Sequence, residues 1–483
     1  MPEIIVIGGG PAGVTAALRA RELGASVGLV ERDRLGGICT NDGCVPTRVL
    51  AKAARLARDA EQFGDYGLSG DVPAVNLREL IARAQETVYH VHEKKQLLGN
   101  LEQAGVVVWE AAGDVYFNGP NELTLSGGQH LNADKFIICA GGHARRLSFP
   151  GSEYALTHSD VWRLDKLPKS IAIVGGAATG CQLASIFSAF GANVTILDVA
   201  PKILGTEDGE VSKGMAQAFE ERGIRIVGDI KGVREIEPAK RRFKLHYDLA
   251  EGGRSLKSDA VIMAVGWVGN IEALGLDAAG VASDRGYIVV DDALRTSAGH
   301  IFAAGDITGR MMLVQSATHG GRIAAENAVL GAQNGFQHNL VPHGGFTDPE
   351  YGSVGLTESQ AKELGDAISA VVPYTDLDRA VIDGRTEGFC KLVASPEGGQ
   401  LLGAHVVGEQ ALEVVQMAAA GMAAGITASQ LAELELAYPT YTAVIGLAAR
   451  RLVRQLDLSP LKPAWRALGP VELRPAEWEL SSS

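Results

Sequence analysis

Cysteine is scarce in this sequence, with five residues among 483, and acidic residues outnumber basic ones. The 57 aspartate and glutamate residues against 44 lysine and arginine residues give a net charge of −13. Phosphate backbones bind basic surfaces, so nucleic acid is not expected as a partner. No apolar run reaches the roughly 20 residues of a membrane-spanning helix, so no transmembrane segment is expected. The opening stretch M-P-E-I-I-V-I-G-G-G lacks the basic start of a signal peptide, and a cytoplasmic protein is predicted.

Glycine, in contrast, is abundant, with 60 residues, and the first glycine cluster follows a short apolar strand. Gly8, Gly10 and Gly13 fill a G-x-G-x-x-G pattern between the strand I-I-V-I and a helical pattern. Such glycines permit a tight turn and let backbone amides approach a pyrophosphate at the helix N-terminus. Glu31 follows the next apolar run, where an acid can accept hydrogen bonds from ribose hydroxyls. The unit predicts a dinucleotide site, and the alternative is a glycine-rich turn that binds no ligand.

A second unit of the same kind begins near residue 170 and carries Gly175, Ala177 and Gly180, with Asp198 at the end of its second strand. Ala177 replaces the middle glycine, so the backbone is expected to approach a phosphate less closely. Asp198 would bind a free 2′-hydroxyl and repel a 2′-phosphate, which favours NADH over NADPH. Two dinucleotide units in one chain suggest that electrons pass between two dinucleotides.

Cys39 and Cys44 stand in G-G-I-C-T-N-D-G-C-V-P-T-R, five positions apart. The other three cysteines, Cys139, Cys181 and Cys390, are scattered singly and are predicted to be buried. A zinc site needs three or four ligands at suitable spacing, so no metal site is predicted. A helical pattern follows Cys44, and a helix N-terminus stabilises a thiolate. Arg48 would add to this stabilisation and Asp42 would oppose it. His90 and His92, in a helical stretch over residues 76–104, are predicted to be solvated.

Several of these motifs resemble those of a known family. The cysteine motif, the two dinucleotide units, the strand F-A-A-G-D and the stretch F-T-D-P-E-Y-G-S-V-G-L-T-E are similar to those of the class I pyridine nucleotide-disulfide oxidoreductases. The resemblance implies an α/β fold with two Rossmann-like dinucleotide-binding domains, one for FAD and one for NAD, and an α+β C-terminal dimerisation domain. It places the FAD-binding domain at residues 1–150 and 270–335, the NAD(P)-binding domain at 151–269 and the dimerisation domain at 340–450. Residues 451–483 are a C-terminal extension to which no role is assigned.

The resemblance also implies a homodimer and roles for individual residues. Cys44 would lie next to the flavin, and Cys39 would be the interchange thiol that attacks the substrate. Asp306 would hold the ribityl chain of FAD. The remaining FAD positions are Gly8, Gly10, Pro11, Ala12, Gly13, Glu31, Gly37 and Gly141, and those of the second nucleotide are Gly175, Ala177, Gly180, Asp198 and Gly266.

Several positions depart from the family pattern. Tyr438 in A-Y-P-T-Y stands where the family has its acid–base histidine, and Ala443 stands at the glutamate that supports it. A phenol is a poor base at neutral pH but can donate a hydrogen bond. Tyr438 is therefore interpreted either as a functional replacement or as an interface aromatic.

Near the flavin, Arg48 and Gln182 replace the lysine–glutamate pair of the family, which predicts a more positive flavin environment. Trp267 and Ala178 stand where relatives have an arginine and a tyrosine, which predicts a more open nicotinamide site.

Together these features predict an FAD enzyme that takes electrons from NADH through Cys39 and Cys44 to a disulfide or another thiol-reactive small molecule. An alternative is a diaphorase-type reductase of quinones or metal ions, which needs no acceptor disulfide. A third hypothesis is a redox-sensing flavoprotein whose FAD is structural.

Overall fold

The computed structural model describes residues 2–336 and 340–458. Of the extension predicted at residues 451–483, the part from residue 459 onwards lies outside the described residues. The first part of the chain contains β1 Ile4–Ile7, α1 Pro11–Glu22, β2 Val27–Val30, α2 Gly37–Asn41, α3 Cys44–Glu61, α4 Leu77–Lys95, α5 Leu97–Gln103, β3 Val107–Trp109, β4 Val115–Gly119, β5 Glu122–Leu125, β6 His130–Asn132, β7 Lys135–Ile138 and β8 Gly142–Ala144.

The middle of the chain contains β9 Ser170–Val174, α6 Ala178–Ala189, β10 Asn193–Leu197, α7 Gly209–Glu221, β11 Arg225–Val227, β12 Gly232–Ala239, β13 Arg242–Leu249, β14 Gly252–Ser258, β15 Ala260–Met263, β16 Trp267–Gly269, β17 Ser283–Asp284, β18 Tyr287–Ile288, β19 Ile301–Ala303 and α8 Val314–Leu330. The last part contains β20 His343–Gly345, β21 Glu350–Gly355, α9 Glu358–Leu364, β22 Ile368–Pro373, α10 Asp378–Ile382, β23 Phe389–Ala394, β24 Leu401–Gly408, α11 Ala411–Ala423, α12 Ala428–Ala432 and α13 Ala443–Gln455. Short 3-10 helices include His158–Arg163 and Asp306–Thr308.

Two parallel sheets lie in the first two thirds of the chain. The first has the strand order β19-β7-β1-β2-β3, and the second has the order β11-β10-β9-β15. All four residues of β1 and all five of β9 are buried, as expected for parallel strands covered on both faces. Along the chain, the first strand of each sheet, β1 or β9, belongs to one of the two predicted glycine units. Strand β19 follows all strands of the second sheet in sequence and pairs with β7 in the first sheet.

The last part of the chain forms a five-stranded antiparallel sheet with the order β20-β21-β24-β23-β22. Residues of α11 and α13 share one apolar core with β22, β23 and β24. The structure therefore confirms the predicted fold class, with two Rossmann-like units followed by an α+β unit.

The glycine patterns shape both Rossmann units in the same way. A Cβ atom on Gly13 would lie 1.8 Å from the carbonyl oxygen of Gly8, and one on Gly180 would lie 1.9 Å from that of Gly175. Gly8 and Gly175 have φ values of +102° and +107°, which favour glycine. The third glycine of each pattern thus permits close helix–strand packing.

In residues 2–336 and 340–458, we find no helix with both the length and the apolar character needed to cross a membrane.

Candidate active site

A cleft of about 2000 Å³ opens along the carboxyl ends of the first sheet and continues to the second Rossmann unit and the C-terminal sheet. Many of the residues predicted for the first dinucleotide line it, together with both cysteines of the close pair: Gly8, Gly10, Pro11, Ala12, Glu31, Gly37, Cys39, Cys44, Gly141 and Asp306. Gly13 does not line the cleft, because it lies behind the turn and contacts Gly8. The structure therefore brings together residues that are more than 250 positions apart in sequence.

The first glycine turn is suited to a dinucleotide. Helix α1 begins at Pro11, and no side chain caps its first turn, because the N-cap residue is Gly10. A Cβ atom on Gly10 would lie 3.7 Å from the Cα atom of Gly37, so a side chain there would narrow the cleft. Glu31 Oε2 accepts a hydrogen bond from the backbone of Gly9 at 2.7 Å. Burial raises the pKa of the Asp306 carboxyl, which suits this group to hydrogen-bonding with hydroxyls.

The second Rossmann turn repeats this arrangement. Asp198 Oδ2 accepts a hydrogen bond from the backbone of Gly176 at 2.5 Å, and Oδ1 accepts one from Ala200 at 2.7 Å. Ala177 is the N-cap of α6 with φ −82°, which any residue adopts, so the backbone does not require the glycine that the pattern lacks. Gly266 has φ +100° in the turn before β16. Ala178 and Thr179, at the start of α6, line the large cleft.

Cys39 lies in α2, and Cys44 is the first residue of α3, which confirms the predicted helix start. Both are free thiols. The interaction with the Cys39 side chain is the main cause that lowers the pKa of Cys44 to about 7, and the backbone amide at the helix start adds to it. The same interaction, together with burial, raises the pKa of Cys39. Cys44 is therefore the thiol of the pair that ionises more readily.

The other three cysteines are buried, as predicted. Burial raises the pKa of Cys139 and Cys390 to about 12, and it also raises the pKa of Cys181. Of the five cysteines, Cys44 alone has a lowered pKa, which favours the thiolate that redox chemistry needs.

Two side chains of α4 bind the segment between the two redox cysteines. Lys95 Nζ donates to Thr40 Oγ1 at 3.0 Å, and His92 Nε2 lies 2.6 Å from Asn41 Oδ1. The prediction that His92 is solvated is wrong, because its helix packs over this segment. His90, in contrast, is exposed and pairs with Glu93 at 3.3 Å.

Asp42 in the same segment contacts His158, which the sequence analysis did not select. Asp42 Oδ2 lies 3.3 Å from His158 Nε2 and accepts a hydrogen bond from Ser159. The carbonyl oxygen of Asp42 accepts one from Trp162 Nε1 at 3.1 Å. These partners lie about 115 positions away, so no local pattern could have indicated them.

Arg48 and Gln182 both contact Phe346. The Arg48 guanidinium lies 3.2 Å from Glu350 Oε1 and 4.5 Å from the ring centre of Phe346. Gln182 lines the cleft and accepts a hydrogen bond from the Phe346 backbone at 3.3 Å. The more positive flavin environment expected from Arg48 and Gln182 stays a prediction, and Glu350 is a nearby acidic residue that bears on it.

Trp267 lines the cleft, and its ring lies 4.8 Å from the ring of His158, with an interplanar angle of 48°. The more open nicotinamide site expected from Trp267 and Ala178 stays a prediction. Ala178 lines the cleft with a small side chain.

Tyr438 is not among the residues that line the cleft. Its side chain is exposed, and its hydroxyl donates a hydrogen bond to Asp378 Oδ2 at 2.7 Å. Ala443 is the first residue of α13 and is buried. Within one chain, therefore, Tyr438 is not placed beside the cysteine pair.

His343 is a further cleft residue that the sequence analysis did not select. Its Nε2 atom lies 3.2 Å from Glu207 Oε1, and Ser353 Oγ donates to Glu207 Oε2 at 2.7 Å. Burial opposes the charge on His343, but the bond to Glu207 outweighs it and raises the pKa of His343. The pair joins β20 to the second Rossmann unit at the edge of the cleft.

Among the described residues, the three side chains that could share a metal ion are Glu235, Glu237 and His246, on β12 and β13. His246 already pairs with Glu237 at 3.1 Å. None of the three lines the cleft.

Comparison with known proteins decides the family. The model of the pyridine nucleotide-disulphide oxidoreductases matches residues 2–321, and the model of their dimerisation domain matches residues 341–449. The chain belongs to this family. The dihydrolipoyl dehydrogenase of Zymomonas mobilis is 34% identical over 446 residues, which cover 91% of this chain and 95% of that protein.

Solved structures agree with this assignment to the pyridine nucleotide-disulphide oxidoreductases. The Cu(II) complex of RclA, an HOCl-induced flavoprotein disulfide reductase from Escherichia coli, has a TM-score of 0.83 at 26% identity and covers 93% of this chain and 99% of its own. LpdA from Mycobacterium tuberculosis has a TM-score of 0.84 at 27% identity and covers 94% and 100%. The chain is an FAD-dependent NAD(P)H-disulfide oxidoreductase, with FAD and a pyridine nucleotide as cofactors. Its dimerisation domain supports a homodimer.

Proposed function

We propose that the enzyme passes two electrons from NADH through FAD to the Cys39–Cys44 disulfide and then to a small acceptor. The acceptor is a disulfide or another thiol-reactive molecule. The observation that carries this proposal is that both free thiols of the pair line the cleft and that the pKa of Cys44 is lowered to about 7. A thiolate at neutral pH is the form in which cysteine acts as a nucleophile or an electron donor.

The chain's own residues would hold the two cofactors as follows. FAD would lie along the first glycine turn, with Glu31 at the adenosine ribose, Asp306 at the ribityl chain and Gly37 and Gly141 beside the turn. NADH would lie along Gly175, Ala177, Gly180 and Gly266, with Asp198 at the adenosine ribose. When bound, FAD supplies the transfer of electrons from nicotinamide to sulfur. Residues 1–150 together with 270–335 would form the FAD-binding domain. Residues 151–269 would form the NAD(P)-binding domain, and residues 340–450 the dimerisation domain.

The cysteines would then carry out the sulfur chemistry. Reduction breaks the Cys39–Cys44 bond with two electrons and one proton, leaving Cys44 as the thiolate and Cys39 as the thiol. Loss of the Cys39 proton allows its sulfur to attack a disulfide acceptor, which releases one thiolate of the acceptor. Cys44 then attacks Cys39, restores the enzyme disulfide and releases the second thiolate.

Asp198 supports NADH as the electron donor rather than NADPH. Its carboxylate is held toward the second glycine turn by the backbone amides of Gly176 and Ala200. A 2′-phosphate at the ribose would meet this fixed negative charge, whereas a 2′-hydroxyl could donate a hydrogen bond to it.

A diaphorase-type reaction, in which quinones or metal ions accept the electrons, is the second candidate. Tyr438 supports it, because a phenol is a poor base at neutral pH and the hydroxyl of this one is bonded to Asp378. The Cu(II) complex of the similar RclA also points in this direction.

Anaerobic titration of the yellow holoenzyme with NADH distinguishes the two reactions. A long-wavelength absorbance band that develops before the flavin colour bleaches supports electron transfer to the cysteine pair. Direct bleaching without this band would exclude the cysteine path and favour quinones or metal ions as acceptors.

A further inference from the structure

A row of polar side chains crosses the C-terminal sheet. His343 of β20 pairs in register with Ser353 of β21, Ser353 pairs with His405 of β24, and His405 pairs with Lys391 of β23. Residues paired in this way share one face of a sheet. Ser353, Lys391 and His405 are buried, whereas the side chain of His343 is 31% exposed and lines the cleft. His343 is therefore the end of the row that a ligand can reach.

Two acidic residues of the second Rossmann unit bind this row. Lys391 Nζ lies 2.8 Å from Asp208 Oδ1, and Ser353 Oγ donates to Glu207 Oε2 at 2.7 Å. The other oxygen of Glu207, Oε1, lies 3.2 Å from His343 Nε2. The Glu207 side chain is only 9% exposed. A buried carboxylate, fixed by a serine, is thus directed at an imidazole in the wall of the cleft.

The hydrogen bonds of His343 fit an imidazolium ion. Its Nε2 atom faces the Glu207 carboxylate, and its Nδ1 atom lies 3.2 Å from the carbonyl oxygen of Val341. Carboxylate and carbonyl oxygens only accept, so both bonds form together only when the ring carries two protons. Burial opposes the charge on His343, but the bonds to Glu207 and Val341 outweigh burial and raise the pKa of His343.

Glu207 is the ionised partner of this imidazolium. Burial opposes ionisation of its carboxyl group, but the bonds with His343 and Ser353 outweigh burial and hold the pKa of Glu207 below its usual value. The proton that the pair shares therefore belongs to the histidine.

The proposed reaction consumes a proton. A disulfide becomes two thiols, and a quinone becomes a hydroquinone, by gaining two electrons and two protons. The hydride of NADH carries both electrons but only one proton, so the second proton has another source. At the position where the family resemblance predicts an acid–base histidine, the chain has Tyr438, whose hydroxyl is bonded to Asp378.

We propose that His343 is a catalytic residue that donates this second proton to the acceptor, and that Glu207 is the positioning residue that keeps it protonated. The inference rests on the proposed transfer of two electrons from NADH to a small acceptor. The donor atom is Nδ1, because Nε2 is directed at Glu207. The acceptor would replace the carbonyl of Val341, which also lines the cleft.

The proton transfer is balanced as follows. The N–H bond at Nδ1 of His343 breaks, and an O–H bond of the hydroquinone or an S–H bond of the thiol forms. NADH supplies both electrons and the other proton. The imidazole is left neutral, and it regains its proton from the solvent that reaches the cleft.

Other titratable groups lie in the buried row or along the cleft: Asp208, His319, Lys391, His405 and Glu413. Asp208 and Lys391 form an ion pair, and burial lowers the pKa of His405. None of these groups is changed in the variants below, so a change in pH dependence reports on His343 and Glu207.

The test compares acceptors that take up protons with one that does not. Turnover of the holoenzyme with NADH is measured with lipoamide, a disulfide, with duroquinone, and with ferricyanide, which takes one electron and no proton. The variants are His343→Gln, which keeps a hydrogen-bond donor but is no acid at neutral pH, and Glu207→Gln. His246→Gln is the matched control, because His246 pairs with Glu237 at 3.1 Å and does not line the cleft.

In His343→Gln we expect kcat/KM to fall at least about tenfold for duroquinone, for lipoamide or for both, since general acid catalysis contributes on the order of 10²–10⁴-fold. The acceptor that loses rate is the one that receives its proton from His343. The rate with ferricyanide should change by less than about twofold, because no proton is transferred to it. Added imidazole should restore part of the lost rate in His343→Ala, which the loss of a merely structural contact would not allow.

The pH dependence tests the role of Glu207. The protonated form of His343 is the donor, so kcat for the affected acceptor should fall as the pH rises through the pKa of His343. In Glu207→Gln this midpoint should move to lower pH, toward the ordinary histidine value of about 6.5, because the carboxylate no longer stabilises the cation.

A second measurement follows the protonation of His343 without turnover. Diethyl pyrocarbonate modifies the neutral imidazole, and mass spectrometry follows its addition to His343 in the resting enzyme over a range of pH. The midpoint should lie above about 6.5 in the unmodified enzyme and fall in Glu207→Gln. The measurement on the unmodified enzyme requires no variant to fold.

Equal losses with all three acceptors in His343→Gln, or no loss with lipoamide and duroquinone, would overturn the role of His343 as donor. A midpoint that stays in place in Glu207→Gln would overturn the role of Glu207. Failure of the proposed function looks different, because the unmodified enzyme would then reduce neither lipoamide nor duroquinone with NADH.

Discussion

The hydroxyl of Tyr438 donates a 2.7 Å hydrogen bond to Asp378 of the same chain, at the position where the resemblance predicts an acid–base histidine. A phenol is a poor base at neutral pH, and this one is bonded to a carboxylate and not to a thiol of its own chain.

Replacing Tyr438 with histidine should increase disulfide reduction. General acid–base catalysis contributes on the order of 10²–10⁴-fold, so we expect at least a tenfold rise in kcat/KM for lipoamide with Tyr438→His, and more when Ala443→Glu is added. Steady-state assays with NADH measure this rise. Tyr438→Phe serves as the control and should change the same rate by less than about threefold. Equal rates for the histidine and phenylalanine variants would show that position 438 takes no part in the exchange.

The Cys44 thiolate should titrate near neutral pH. Its pKa is lowered to about 7, so the thiolate is present above that pH and is lost as the pH falls below it. In the NADH-reduced enzyme, we expect the long-wavelength band to weaken by about half near pH 7 and to disappear toward pH 5. Absorbance at a series of pH values records this change. Cys44→Ala should abolish the band, whereas Cys181→Ala, which alters a buried thiol, should preserve it; a band that persists in Cys44→Ala would identify another donor.

Asp198→Asn should weaken the preference for NADH. The amide keeps one oxygen, which can accept from the backbone of Gly176 or of Ala200, and it removes the charge that repels a 2′-phosphate. We expect the ratio of kcat/KM for NADH over that for NADPH to fall by about tenfold, which corresponds to about 1.4 kcal/mol. Glu31→Gln, the equivalent change in the first unit, should leave this ratio unchanged. A ratio that does not move in Asp198→Asn would place the discrimination elsewhere.

Glu350→Gln should raise the two-electron potential of the flavin. It removes the carboxylate that lies 3.2 Å from Arg48, so a positive charge is left uncompensated close to Phe346 and the cleft. We expect a rise of about 30 mV, or a tenfold shift in equilibrium, and a fall of similar size in Gln182→Glu. Spectroscopic titration against a reference dye measures both. Glu61→Gln, which alters a surface partner of Arg58, is the control, and equal potentials in all four proteins would contradict the proposed role of Glu350.

The sequence indicated the main chemical elements of the site because their signals are local. A strand, three glycines and a helix specify a dinucleotide turn within about 30 residues, and the turns at Gly8–Gly13 and Gly175–Gly180 both have the predicted geometry. The helix start at Cys44 was likewise predictable from the pattern that follows it. The main cause of the low pKa of this thiol is the interaction with Cys39. Burial of the single cysteines followed from the apolar strands and helix that contain them.

The tertiary structure decided the partners of the charged residues. Arg48 pairs with Glu350 about 300 positions away, Asp42 pairs with His158, and His92 bonds to Asn41. Contacts of this kind depend on how separate units pack, and a sequence pattern specifies only which residues share a face of one element. The sequence by itself therefore determined which groups can carry electrons and hold dinucleotides. Only the packing of the Rossmann units and the C-terminal sheet decided which partners these side chains contact.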